Sequence, residues 1–270
     1  CDVTFDAEVR SWHTRTLRLV RSLLSWTVTV PFLLGFGLLL LFFDILGRLV
    51  RPFSLRGFEW VMAWLQWSLL GLFRLFGTDI EVEKPDDLAP GTGYAILSNH
   101  QSMLDIVMIG GLLVSNFPKY VAKKELSNWI PSVSLNLKWG GNAVIDRSDA
   151  RQSIRAIKEM AQTAQQRGVS VVIFPEGKRS RDGSLLPFKT AGARSLLAAA
   201  DQLPVVPALI SGSWRLNRLF PFQPGSKVKI IFGSPLGRSP GDEMEKIDQV
   251  RTWMTARSAE LEQVSSREIR

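Results

Sequence analysis

Hydrophobic positions are spread unevenly along the 270 residues. Residues 23–43 carry no charged side chain, a run long enough to cross a bilayer core of about 30 Å at about 1.5 Å per residue. Pro31, Gly35 and Gly37 lie inside it and predict a kink. A second apolar run, residues 60–76, places Trp60, Trp64 and Trp67 at near-helical spacing and also holds Gln66 and Arg74. Rings of this kind favour the headgroup level of a membrane. From about Glu81 the pattern changes. Apolar runs at residues 94–98, 119–122, 142–145, 169–174, 205–211 and 228–232 predict strands. Helical patterns fall between and after them, at residues 103–113, 126–138 (interrupted by Pro131), 149–167, 191–200 and 242–264. Ser148 is placed to cap the helix at 149–167, and Arg167-Gly168 to end it. Such alternation predicts an α/β fold with a mostly parallel central sheet flanked by helices and joined by right-handed crossovers. Residues 1–80 are read as an N-terminal two-helix membrane hairpin and residues 81–270 as the domain that carries the chemistry.

Charge sharpens this picture. The net charge is +8 and the pI about 9.9, which favours anionic partners: phospholipid headgroups, phosphorylated substrates, coenzyme A, an acidic carrier protein or nucleic acid. Nucleic acid fits poorly, because the basic residues gather at strand ends and membrane flanks without a recognisable binding module. Arg10, Arg15, Arg18 and Arg21 precede the first apolar run, and Arg48, Arg51 and Arg56 follow it. Two full spans would put the second group on the far side, against the positive-inside tendency. A monotopic hairpin dipping into one leaflet, at the cytoplasmic face, keeps all of them on one surface. The run is too long for a signal peptide and no small-residue cleavage site follows. A hairpin buried in a soluble core would need more polar face than either run offers. Cys1 is the single cysteine, so no internal disulfide or multi-cysteine metal site is expected. With only His13 and His100, a zinc site is not expected either, and His13, set among arginines, is read as interfacial.

Candidate chemistry centres on Ser98-Asn99-His100-Gln101-Ser102-Met103-Leu104-Asp105. A strand ending in histidine, followed by a carboxylate at the start of a new apolar run, suits a base and its orienting partner. Five residues along a regular helix separate side chains by about 140°, so contact requires His100 on the turn before the helix and Asp105 inside it. A helix cap with an incidental histidine would use the same stretch, since Asn99 and Ser102 cap well. After the run at 169–174 comes Pro175-Glu176-Gly177-Lys178-Arg179-Ser180-Arg181, where guanidinium groups suit bidentate capture of phosphate. Gly141-Asn142-Ala143-Val144-Ile145-Asp146-Arg147 again ends a strand on charge, and Val205-Val206-Pro207-Ala208 is a strand containing proline. Asp146 is read as a structural partner of Arg147, and Lys189 as a surface residue.

Taken in order, these four segments resemble the blocks of the glycerolipid acyltransferases, most of all the 1-acylglycerol-3-phosphate acyltransferases. Lys123-Lys124-Glu125-Leu126 and Phe232-Gly233-Ser234-Pro235 match family habits too. The resemblance covers residues 94–236 and implies direct transfer of an acyl group from a thioester, acyl-CoA or acyl carrier protein, to a lysolipid hydroxyl at a membrane. The acceptor it implies is lysophosphatidic acid and the product phosphatidic acid, with no cofactor beyond the thioester. It assigns His100 as general base and Asp105 as its orienter. Glu176 would bind the glycerol moiety and Arg179 and Arg147 its phosphate, with Gly177 giving backbone room. Lys124 is a further phosphate candidate, and Pro207 would shape the donor site or the core. No G-x-S-x-G elbow competes with this reading. Lys178 stands where the family usually has threonine; it adds a cation beside the phosphate site and leaves open another acceptor, a lysophospholipid or a lyso-ornithine lipid. The remaining alternative is a non-catalytic lipid-binding membrane protein, against which His100, Asp105, Glu176 and Arg179 together argue.

Overall fold

The computed structural model describes the backbone of residues 2–217 and 219–268, and side chains over residues 26–217 and 219–263. The expectations placed on Cys1, Arg10, His13, Arg15, Arg18 and Arg21 lie outside the described side chains. Seven strands form one sheet: β1 (Asp79–Glu83), β2 (Ala95–Ser98), β3 (Lys119–Lys123), β4 (Ala143–Ile145), β5 (Val171–Ile173), β6 (Val205–Ser211) and β7 (Lys227–Phe232). Their order is β1-β7-β6-β2-β5-β3-β4. Every neighbouring pair is parallel except β6–β7. The expected α/β architecture is present. β1 is the strand that the apolar pattern does not announce: Asp79-Ile80-Glu81-Val82-Glu83 alternates charge with aliphatic, as an edge strand with one wet face does.

The central strands are continuous apolar runs because both faces are covered. Ala95, Leu97, Val171, Ile173, Val205 and Leu209 enter one core with helices α5 (Ala150–Arg167), α6 (Thr190–Ala199) and α7 (Glu243–Glu268). Their neighbours Ile96, Val172, Val206, Ala208 and Ile210 enter a second core with α1 (Asp2–Val50), α2 (Leu55–Leu75) and α3 (Asp105–Leu112). Each fully buried aliphatic side chain here stabilises by about 1.5–3 kcal/mol relative to exposure.

Several local expectations shift. The cap of α5 is Asp149, not Ser148: the Asp149 carboxylate accepts from Gln152 N–H at 2.9 Å, while the Ser148 hydroxyl is spent on Asp146 at 2.6 Å. Gly168 ends α5 in the left-handed conformation, as Arg167-Gly168 predicts. Pro131 splits the 126–138 segment into a 3₁₀ turn at Lys124–Ser127 and a short helix α4 (Val133–Trp139). α1 runs through Pro31 as one continuous helix. Phe32, the next residue, is wholly buried and stacks on Phe222 at 4.2 Å with Phe73 at 5.2 Å.

Trp26–Val50 is the one helical segment among the described residues long and apolar enough to cross a membrane. Val30, Leu34, Leu38, Leu41, Phe42, Ile45 and Leu49 form an exposed apolar stripe along it. Phe32, Leu40 and Phe43 point inward. The second apolar run packs differently. Phe58, Val61, Met62, Leu65 and Leu69 of α2 bury against α1 and Leu135 of α4. Trp60 rests edge-on against Phe117 at 4.8 Å, leaving Trp64 and Trp67 exposed. Glu59 of α2 is buried and pairs with Lys119 of β3 at 2.5 Å, Arg167 at 2.7 Å and Arg56 at 3.3 Å, so α2 is bolted to the sheet. Burial lowers the Lys119 ammonium pKa, against the pull of Glu59.

Candidate active site

Parallel pairing of β2, β5, β3 and β4 puts their carboxyl ends on one edge of the sheet, the place where open α/β sheets hold ligands. His100 follows β2, Glu176 and Arg179 follow β5, Lys124 follows β3 and Arg147 follows β4. At about 4.8 Å per strand, the ends of β2 and β4 lie roughly 14 Å apart along this edge. One edge of the sheet therefore carries His100, Glu176, Arg179, Lys124 and Arg147.

His100 lies on the turn between β2 and α3, and Asp105 is the first residue of α3, as the spacing requires. His100 Nδ1 lies 2.8 Å from Asp105 Oδ2, and Asp105 is fully buried. The same carboxylate oxygen accepts the N–H groups of Gln101 at 2.7 Å and Ser102 at 2.8 Å. Its other oxygen accepts the Ser213 hydroxyl at 2.6 Å. An ionised carboxylate only accepts, so this arrangement puts the ring proton on Nδ1 and leaves Nε2 free to take another. Asn99 caps nothing: its side-chain amide bridges Ile210, donating to the carbonyl at 2.8 Å and accepting from the N–H at 2.7 Å. That clasp fixes the end of β2 to β6. Leu104 precedes α3 without a side-chain cap bond of its own, while the Ser102 hydroxyl accepts the Leu104 N–H at 3.2 Å.

The segment after β5 encloses the histidine. Phe174 stacks on the imidazole, with centroids 4.0 Å apart and planes 15° apart. Ser180 N–H donates to the His100 carbonyl at 2.7 Å. The His100 N–H donates to Glu176 Oε2 at 3.4 Å, and Leu186 N–H to Oε1 at 3.3 Å. Glu176 is only 1% exposed; burial, with the Asp105 charge adding to it, pushes its carboxyl up to about 7. Gly177 has φ +67, a conformation suited to glycine, and a Cβ there would meet the Lys189 stem at 3.2 Å.

The cations are arranged less tightly. Lys178, Arg179 and Arg147 are exposed. Lys124 is exposed and pairs with Asp146 at 2.5 Å, a bond that raises the Lys124 pKa and lowers that of Asp146. Asp146 thus partners Lys124 and not Arg147, because its carboxylate lies across the β3–β4 pair. Lys189, read as a surface residue, is exposed but sits at the rim: its N–H donates to the Pro175 carbonyl at 2.7 Å and its stem lies over Gly177. Ser213, Phe174 and Ser180 are the contributors that sequence reasoning missed. The signal for Ser213 was its place just past β6, visible only once β6 is known to border β2.

The family model described as Acyltransferase matches residues 79–211. Human 1-acyl-sn-glycerol-3-phosphate acyltransferase alpha is 36% identical over 197 residues, covering 72% of this chain and 68% of the human protein. The Escherichia coli (strain K12) 1-acyl-sn-glycerol-3-phosphate acyltransferase is 36% identical over 150 residues, 54% of this chain and 59% of its own length. The crystal structure of the 1-acyl-sn-glycerophosphate (LPA) acyltransferase PlsC from Thermotoga maritima shares the fold. It superposes with a TM-score of 0.70 at 24% identity, over 91% of this chain and 98% of that one. With sequence shared to that extent, the chain belongs to the acyltransferase family that includes the 1-acyl-sn-glycerol-3-phosphate acyltransferases.

Proposed function

We propose that this O-acyltransferase moves a fatty acyl group from an acyl-CoA or acyl carrier protein thioester to the free hydroxyl of 1-acyl-sn-glycerol-3-phosphate, giving phosphatidic acid. The observation that carries the reading is the 2.8 Å contact between His100 Nδ1 and buried Asp105 at the carboxyl edge of the sheet. Nε2 takes the proton of the acceptor hydroxyl as its oxygen attacks the thioester carbonyl carbon. The C–S bond then breaks, and the departing thiolate takes the proton back from the imidazolium. Asp105 holds the tautomer and stabilises the transient charge. General-base help of this kind is worth about 10²–10⁴-fold, with positioning supplying much of the remainder. Arg179, Lys178 and Arg147 are the phosphate cations, and Lys124 joins them if its pair with Asp146 opens.

The membrane part of the proposal rests on α1. Its exposed stripe faces away from Phe222, Leu135 and the rest of the packed body, so the helix lies along the protein with one side offered to lipid. That disposition favours a monotopic anchor in one leaflet, at the cytoplasmic face, with α2 completing the hairpin. Trp129, 98% exposed, is a second candidate for lipid contact, three residues before Ser132, whose N–H donates to Asp44 of α1 at 2.7 Å.

Lys178 leaves a second acceptor class open, so the test is an acceptor panel at fixed donor. Thiol release is expected to be fastest with 1-acyl-sn-glycerol-3-phosphate. Faster release with a lysophospholipid or a lyso-ornithine lipid would move the assignment to that acceptor. No release with any donor would end the catalytic reading.

A further inference from the structure

We propose that Glu176 is a positioning residue for His100, holding the base by its backbone, and not a ligand for the glycerol moiety. The proposal deepens the acyl-transfer reading and rests on it. A carboxylate that binds a substrate hydroxyl must show an oxygen to the pocket, and Glu176 shows almost none. Both of its oxygens are already turned to main-chain donors, Oε2 to His100 N–H and Oε1 to Leu186 N–H. The residues on either side of it act on the same target. Phe174 lies flat under the imidazole, and Ser180 N–H holds the His100 carbonyl. The 174–180 segment therefore grips ring, N–H and carbonyl of one residue, and Glu176 supplies the N–H grip. Through Leu186 it also ties that grip to the return loop whose end, Lys189, bonds back to Pro175.

The side-chain chemistry follows from the donors. Two N–H groups converge on one side chain, so two acceptor oxygens are needed. Glutamine has one acceptor and one NH₂, and whichever way it turns, one N–H faces another donor. Burial raises the Glu176 carboxyl, while the N–H groups of Leu186 and His100 pull it down, as donors to an ionised carboxylate do.

The test separates this idea from the reading beneath it. Wild type must transfer acyl groups to 1-acyl-sn-glycerol-3-phosphate, and His100→Ala must not; otherwise it is the acyl-transfer reading that fails. Given that result, Glu176→Gln is expected to lower kcat by about 10- to 100-fold, the scale of a misplaced catalytic group. KM for the acceptor should change less than about threefold, since uniform acceptor binding is untouched. Arg179→Met should show the opposite split, raised KM with kcat largely kept. The chain has two histidines, so a His13→Gln background isolates the His100 imidazole by NMR, and Glu176→Gln should shift that signal. A Glu176→Gln variant with kcat intact and acceptor KM raised tenfold or more would overturn the proposal. A wild-type measurement stands even if the variant does not fold. The amide protons of His100 and Leu186 should stay protected from hydrogen exchange when 1-acyl-sn-glycerol-3-phosphate saturates the enzyme. Loss of both protections on acceptor binding would mean Glu176 leaves them for the glycerol, and would equally overturn it.

Discussion

Ser213→Ala removes one oxygen, and the structure says what that oxygen does. The Ser213 hydroxyl is wholly buried and donates to Asp105 Oδ1 at 2.6 Å. Three further donors, His100 Nδ1, Gln101 N–H and Ser102 N–H, crowd the other oxygen. Without Ser213, Oδ1 keeps no donor among the described bonds and stays out of reach of water. A hydrogen bond to a buried charge is worth about 1.5–3 kcal/mol, and the loss should fall in that range. For a domain of this size that is roughly a 4–8 °C fall in Tm. The carboxylate can also rotate toward its remaining donors, carrying the imidazole with it, so kcat should fall about tenfold with the acceptor KM unchanged. Thermal unfolding followed by circular dichroism and steady-state thiol release measure the two effects. Tm and kcat both within error of wild type would refute the claim that Ser213 anchors the pair.

Other consequences are as direct. Glu176 has a folded-state pKa near 7, above the ordinary carboxyl value, so the folded form holds its proton longer than the unfolded chain. Its contribution is full below about pH 4.5 and is lost as pH rises through 7, a swing of about 3 kcal/mol. Wild type should therefore lose Tm between pH 5 and pH 8 relative to Glu176→Gln; parallel Tm–pH curves would contradict this. Glu59→Gln strands the buried Lys119 ammonium and loosens α2 from the sheet, which should lower unfolding free energy by about 3–5 kcal/mol in denaturant titration. For the membrane surface, an environment-sensitive dye at residue 38 or 129 should be quenched by spin-labelled acyl chains in vesicles. A quenched label at 38 with an unquenched one at 129 would confine the lipid contact to α1, and two unquenched labels would remove the monotopic anchor.

Much of this was legible in sequence because parallel strands buried on both faces write uninterrupted apolar runs. Val205–Ser211 is read to the residue, since Pro204 and Gly212 bracket it. The His100–Asp105 contact was legible because five residues across a strand–helix turn leave one way to meet. What sequence could not carry was neighbourhood across the sheet. Ser213 meets Asp105 over a separation of 108 residues, and Glu59 meets Arg167 over the same separation. No local pattern encodes either. β1 escaped because an edge strand needs only one apolar face, and Ile80 with Val82 is a short signal.

The central claim is that His100 takes the acceptor proton. Its most direct measurement is single-turnover acyl transfer to 1-acyl-sn-glycerol-3-phosphate by His100→Ala, in protein shown to keep its fold and its acceptor affinity. The account predicts a rate at least about 10³-fold below wild type, near the upper part of the range for a lost general base. A variant that turns over at the wild-type rate would contradict it.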